Sequence, residues 1–422
     1  MKRPAWLTRH VLAWSLYDVA TSIWVAAIPT ILYALYFRSV IVTDAGRADA
    51  LWGLTAATSL VIAGVAAPWI GARADLAGSR LRWLAAATVL CCVATVAMAF
   101  VGPGQVLAGA LCFIGAQVGY TVGMALYDAY LTRLAAVDTV GRVSSFGFAA
   151  GFIGGVAAII VCILLLRGVE VAHDPRYTVA FLAVAAMVAG AGVPALLGMR
   201  RLDAQPDTSA ARPRISAGRR LAASIRAWRD HRNAVKFLAA LYLVNDALVT
   251  IAFFVGIYFR ERFGLGLVEL LELALLYQVL AIPCTLAFGR FADRVSPHVA
   301  IYTSLGIWTT AVLLLAFAEG PLVPVIAIVL FAAVFGSTQA LMRAMYAVIV
   351  PKGQAGEFFG FSALAGRLSA AAGPLLYGVV SVATGSSRAA LLSLLVFIVG
   401  GALVLATVRV EEPAAERPEA AG

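Results

Sequence analysis

The sequence predicts an all-α membrane protein of twelve transmembrane helices, on three observations. The composition is 62% hydrophobic and only 13% charged, apolar runs recur along all 422 residues, and Lys and Arg gather on one side of those runs. A soluble domain carries about 25% charged residues. A hydrocarbon core roughly 30 Å thick needs about 20 apolar residues per helix, and the runs here reach that length without the alternation of a membrane barrel.

The first run, 11–37, is apolar throughout apart from Asp18 and a few hydroxyls. The second, 50–72, ends at GARAD (Gly71 to Asp75), and 82–101 follows. The fourth, 104–132, carries Asp128 and stops at Arg133, while 143–167 holds two successive Gly-x-x-x-Gly frames at Gly147, Gly151 and Gly155. Small residues at that spacing let helices approach closely. The run 177–199 precedes the longest polar stretch of the chain, and 235–260 follows it with Asn245 and Asp246 inside. The eighth run, 266–288, opens with Glu269 and Glu272, acids that suit the positive end of a helix dipole. The runs 298–318, 321–350, 358–383 and 388–408 complete the set, and Arg343 lies within the tenth. Pro29, Pro68, Pro283 and Pro374 each remove a backbone hydrogen bond and are candidate kinks. No cleavable signal is expected, because the first apolar run is far longer than a signal core.

With the N-terminus in the cytoplasm, 25 of the 32 Lys and Arg fall on inside loops or helix ends and seven outside. That asymmetry predicts a cytoplasmic-membrane protein with both termini cytoplasmic. It also accounts for the net charge of +10 without any nucleic-acid partner. The five cysteines, Cys91, Cys92, Cys112, Cys162 and Cys284, lie in apolar runs with no metal-ligand spacing and read as small core residues.

Residues 200–234 divide the chain into two sets of six. The stretch begins as a flexible linker and turns, from about Ser216, into a basic amphipathic helix suited to the headgroup surface. The halves echo each other: GARAD returns as GRFAD 218 residues on, LYDVAT as LVNDALVT, SFGF as FFGF, in the same order. Such repetition indicates a duplicated six-helix unit. The expected boundaries are 1–199 and 235–409 for the two bundles, 200–234 for the linker and 410–422 for a cytoplasmic tail.

Two repeated sets of six helices, a basic central loop and Gly-x-x-x-Asp segments at corresponding places resemble the major facilitator superfamily. Three stretches resemble one subgroup, the bacterial relatives of the autophagy-related vacuolar amino-acid effluxer. They are AWSLYDVATSIW from Ala13, GRVSSFGFAAGFIGG from Gly141, and QALMRAMYAVIVPKGQAGEFFGFSALAGRLSAAAGPLLYG from Gln339. The first departs from the subgroup pattern at Val19 and Thr21. The resemblance implies the major facilitator fold, two pseudo-symmetric six-helix bundles whose helices 1, 4, 7 and 10 line a central cavity.

Those four helices carry Asp18, Asp128, Asp246 and Arg343, and a charge within a membrane helix requires a partner or a function. Asp18 lies roughly 12 Å along helix 1, with Tyr17, Thr21 and Ser22 nearby. It reads either as a proton-titrating or cation-binding acid or as a structural acid near the cytoplasmic gate. Asp246, with Asn245, lies nearer the midplane and reads as a substrate or ion contact. Arg343 suits either a substrate carboxylate or snorkelling to the surface. Gln339, one turn deeper, and Gln117 in helix 4 suit hydrogen bonding to a polar solute. Asp128 and Arg133 read as a gate or interdomain ion pair. By resemblance, Asp75 with Arg73 in the 2-3 loop, and Asp293 with Arg290 in the 8-9 loop, are cytoplasmic latches.

No nucleotide-binding loop, His-Glu-x-x-His frame or nucleophile elbow occurs, so enzyme chemistry, cofactors and ATP coupling are not expected. The expectation is a monomeric secondary transporter working by alternating access on a small polar metabolite, an amino acid or similar by resemblance, exported and exchanged for protons. A multidrug/proton antiporter and a non-transporting receptor or sensor are the alternatives.

Overall fold

The computed structural model describes residues 7–76, 80–128, 130, 134, 140–169, 174–203, 232–349 and 371–408, and among them every regular element is helical. Helix α1 runs Arg9–Ile41 as one rod, longer than the predicted 11–37. Thr8 opens it, its hydroxyl accepting from the Val11 N–H at 3.2 Å. Pro29, which has no N–H to donate, falls in a π-helical turn, Ile28–Leu32, and a second π turn, Phe37–Ile41, ends the rod. The rod therefore passes Pro29 by widening.

The other helices are α2 (Ala48–Leu76), α3 (Arg80–Met98), α4 (Val106–Asp128), α5 (Val140–Leu166), α6 (Arg176–Asp203), α7 (Arg232–Phe263), α8 (Leu267–Arg294), α9 (Pro297–Phe317), α10 (Val323–Ile349), α11 (Ala372–Thr384) and α12 (Ser387–Ala406). Nine of these rods are long and apolar enough to cross a membrane among the described residues; Ala150–Leu166, Val323–Gln339 and Ala372–Thr384 are shorter apolar stretches. The amphipathic helix expected from Ser216 lies outside the described residues. GARAD and GRFAD, expected as loops, continue as helix in α2 and α8. A glycine inside a helix weakens it by about 1 kcal/mol without ending it. Glu269 accepts from the Gly266 N–H at 2.7 Å, the structural role expected of a first-turn acid.

The first six helices pack chiefly on one another, α1 against α5 and α6 and α4 against α2 and α3. In the last six, α10 packs against α7, α8 and α9, and α12 against α7. The sets join chiefly where α2 meets α11, where α5 meets α8, and where the far half of α1 meets α7, with a smaller contact of the Ile28–Leu32 turn on α8. Large apolar side chains such as Leu54, Phe100, Leu107, Ile153, Leu164, Val396 and Leu403 are exposed on the outside of the bundle, the surface that a bilayer would cover.

The joint between the sets is buried and aromatic. Tyr33, Phe37, Trp52, Phe113 and Phe253 form one cluster with ring centroids 4.8 to 6.3 Å apart. Such pairs add about 0.5–1.5 kcal/mol each beyond their burial. Trp52 Nε1 donates across the joint to the Phe253 carbonyl at 3.1 Å. The cluster lies towards the distal end of the bundle, the end opposite Arg9 and Ala406.

Candidate functional site

In the first six helices, Asp18 is the buried acid of α1, 8% exposed. The helix carries it into α5, where a Cβ added to Gly151 would stand 3.3 Å from the Asp18 carboxyl carbon. Only glycine lets α5 approach so closely. The carboxyl borders Tyr127, whose buried hydroxyl has no hydrogen-bond partner among the described residues, and lies within electrostatic range of Asp128 at the end of α4. Tyr127 is itself fixed, its ring stacked on Trp14 at 4.5 Å and its carbonyl accepting from Trp14 Nε1 at 3.2 Å. Asp18, Tyr127 and Asp128 thus form one group across α1 and α4.

Tyr17 joins that group through its ring, which stacks on Tyr127 with centroids 5.3 Å apart. Its hydroxyl shares a 3.0 Å hydrogen bond with Thr88 of α3, in a buried pocket closed by Gly123. The Tyr17 hydroxyl is thus directed to α3, while its ring and the Asp18 side chain both border Tyr127. Gln117 is buried and donates to Thr121 at 3.2 Å, one turn on.

In the last six helices, Gln339 of α10 donates to Asn245 of α7 at 3.2 Å, which brings two expected site residues together. Asp246, 2% exposed, is turned to α11: its Oδ2 accepts from the Gly373 N–H at 2.8 Å. A Cβ on Gly373 would come within 3.0 Å of Oδ1. The acid of the first helix in each six therefore meets a glycine of the fifth.

Of the expected gating residues, Asp128 is exposed beside Asp18. The Arg73 guanidinium lies 3.5 Å over the Trp69 ring, a cation–π contact on an exposed face. Asp75, Arg290, Asp293 and Arg343 belong to α2, α8 and α10, and their side chains lie outside the described residues, as does the whole of Arg133.

Sequence reasoning missed a charged cluster at the distal end. Arg38 of α1 donates through Nε to Asp49 Oδ1 of α2 at 2.8 Å, and its guanidinium also meets Glu261 of α7. Ser381 of α11 donates to Asp49 Oδ2. Four helices from both sets meet there, directly above the aromatic joint. A charged residue at the end of an apolar run was the only signal available, and many such residues are merely interfacial.

A family described as vacuole effluxer Atg22 like matches residues 40–417. The chain belongs to the Atg22-like family. It is 27% identical over 419 residues to the uncharacterised MFS-type transporter YxiO of Bacillus subtilis, covering 97% of this chain and 96% of that one. It is 26% identical over 205 residues to autophagy-related protein 22 of Cryptococcus neoformans, covering 44% of this chain and 37% of that protein. Among solved structures, a D-xylose-proton symporter superposes with a TM-score of 0.72 at 16% identity over 96% of this chain and 97% of its own. The nucleoside transporter NupG gives 0.70 at 15% identity over 95% and 98%. These likenesses give the Atg22-like chain the major facilitator fold, as the repeated halves and the Gln339 stretch implied. It is a multi-pass membrane transporter of the major facilitator type, and its relatives are transporters, not enzymes.

Within this Atg22-like chain, the distal cluster and the aromatic joint close the bundle at one end. Asp18 and the Asn245–Gln339 pair lie on the side of that seal nearer the termini. That is the arrangement in which a solute site is separated from one face of the membrane by protein.

Proposed function

We propose that the protein exports a small polar metabolite, an amino acid or similar, across the cytoplasmic membrane in exchange for protons, by alternating access between two bundles, 1–199 and 235–409. The linker 200–234, the tail 410–422 and both termini would lie in the cytoplasm, with the distal end facing outward. The observation that carries proton exchange is Asp18 itself, an acid buried in apolar α1 next to Tyr127, whose buried hydroxyl has no hydrogen-bond partner among the described residues. Intramembrane acids mark proton relays because nothing else stabilises them cheaply in hydrocarbon.

The solute would be held by Gln117, Asn245 and Gln339, with Arg343 gripping a carboxylate and Asp18, Asp246 and Tyr17 supplying the remaining polar groups. Asn245 and Gln339 already share a hydrogen bond, so a ligand hydroxyl, amine or carboxylate would replace a bond of about the same strength. Asp128 and Arg133, and Asp75, Arg73, Asp293 and Arg290, would gate the cytoplasmic side. One copy of the chain suffices for this cycle.

The test is uptake of radiolabelled amino acids into proteoliposomes with and without a pH gradient. Flux that rises with the gradient in the parent and no longer responds to it in Asp18→Asn supports the proposal. Equal flux with and without the gradient removes proton exchange, and flux of lipophilic cations alone would favour a multidrug antiporter.

A further inference from the structure

We propose that Asp246 is a positioning residue for the distal gate, acting through helix α11. The contacts close a circuit. Asp246 of α7 holds the Gly373 N–H in the first turn of α11. Eight residues on, roughly 12 Å along the same helix, Ser381 holds Asp49 of α2. Asp49 holds Arg38 of α1, and Arg38 returns to Glu261 of α7, the helix on which Asp246 sits. Between its two polar ends α11 lies flat on α2: a Cβ on Gly378 would stand 3.0 Å from the Asp49 carbonyl, and one on Gly53 would strike the Pro374 carbonyl. Four helices and both halves are tied by one loop of polar contacts.

The grip at Asp246 is a single hydrogen bond. The first turn of a helix leaves N–H groups without internal partners, and Pro374, next in line, has none to offer. Oδ2 therefore satisfies the Gly373 N–H, while Oδ1 is buried with no hydrogen-bond partner. Thr250 does not compensate, since its hydroxyl donates to the Asp246 backbone carbonyl at 2.7 Å. The position cannot take a larger residue in place of Gly373, because any Cβ would run into Thr250 Oγ1. Whatever changes the acceptor strength of Asp246 changes how firmly the start of α11 is held. Because α11 is stiff and packed backbone to backbone on α2, loosening its start frees Ser381 at the other end. This deepens the alternating-access reading above and rests on it: occupancy at the central acid is coupled to the outward seal by a helix.

The test uses the full-length chain in lipid nanodiscs, with its five cysteines replaced and spin labels at Pro103→Cys and Leu322→Cys, both exposed turns at the distal end of opposite halves. Pulsed dipolar spectroscopy reads the closed and open distances. Asp246→Ala should raise the open-to-closed ratio by roughly tenfold, the effect of one charge-assisted hydrogen bond. Asp246→Asn, whose amide oxygen still accepts from Gly373, should fall between parent and Asp246→Ala. Ser381→Ala breaks the far end of the same circuit and should add little when combined with Asp246→Ala. A parental distance distribution in Asp246→Asn and Asp246→Ala overturns the proposal, as does full additivity with Ser381→Ala. If Asp246→Ala does not fold, a parental distribution in Asp246→Asn alone overturns it. An altered distribution in Ser381→Ala with none in the Asp246 variants would remove the coupling yet leave alternating access standing. A single distance in every variant, with Ser381→Ala included, would remove both.

Discussion

Replacing Arg38 by glutamine tests the distal seal where it is most heavily charged. Arg38 is 20% exposed and faces two acids: Asp49, 8% exposed at the side chain, and Glu261, 27% exposed. Removing the cation leaves the largely buried Asp49 carboxylate held by Ser381. Breaking a fully buried pair costs about 3–5 kcal/mol, and partial exposure of Arg38 brings this to about 2–3 kcal/mol. The more exposed Glu261 arm adds less than about 1 kcal/mol. A total near 3 kcal/mol changes the closed-to-open ratio by about a hundredfold. Ile31 is buried where α1 meets α7, within 3.6 Å of a Cβ placed on Gly256, so a cysteine there is shielded while the joint is closed. In a background without the native cysteines, the maleimide labelling rate of Ile31→Cys in purified protein should rise by up to about that factor in Arg38→Gln, with the melting temperature followed to exclude unfolding. Adding Asp49→Asn removes the stranded charge and should bring the rate back towards the parent. A parental rate in Arg38→Gln, or a double variant that labels faster than the single, would falsify the assignment of this cluster as the seal.

Glycines separate by what their missing side chain would meet. Gly119→Ala drives a Cβ to 2.7 Å from the Ala87 carbonyl and the Cys91 nitrogen, both backbone, and should lower stability in detergent by about 1–3 kcal/mol in a thermal melt. Gly71→Ala meets nothing within 4 Å and should hold or raise the melting temperature, since alanine favours helix by up to about 1 kcal/mol. In the turn before α6, hydrogen bonds from Arg176 hold the exposed Asp174 carboxyl below the usual carboxylate range. A lowered folded value makes this contribution present above about pH 4 and lost as pH falls through the folded value. The parent and Asp174→Asn should therefore differ slightly near neutrality and converge in acid, read from melting temperature against pH.

The helices were legible because hydrocarbon thickness sets a length that composition records directly. Their ends were less so: Arg9, Arg80, Arg176 and Arg232 begin helices, although hydropathy alone excludes them. GARAD and GRFAD looked like loops because their charges break the apolar pattern, yet charge does not break backbone hydrogen bonds. Asp18 and Asp246 stood out as acids in oily runs, and their repetition in both halves was visible in LYDVAT and LVNDALVT. What each acid touches was not visible, since Gly373 lies 127 residues from Asp246 and no local pattern links them. The hydrogen bond between Tyr17 and Thr88 was equally hidden, because the two lie on different helices, 71 residues apart. The Arg38 cluster was hidden because its members are ordinary interfacial charges until four helices bring them together.

The two π turns of α1 have a mechanical meaning. Each widened turn holds one residue more than an α-helical turn of the same height. Tightening Ile28–Leu32 into α-helix would expel that residue and swing everything beyond it by about 100° about the axis. Arg38 lies beyond that turn and Asp18 before it. The two ends of one rod can therefore rotate against each other like the ends of a torsion spring, carrying the distal charge away from its partners while the acid below keeps its place.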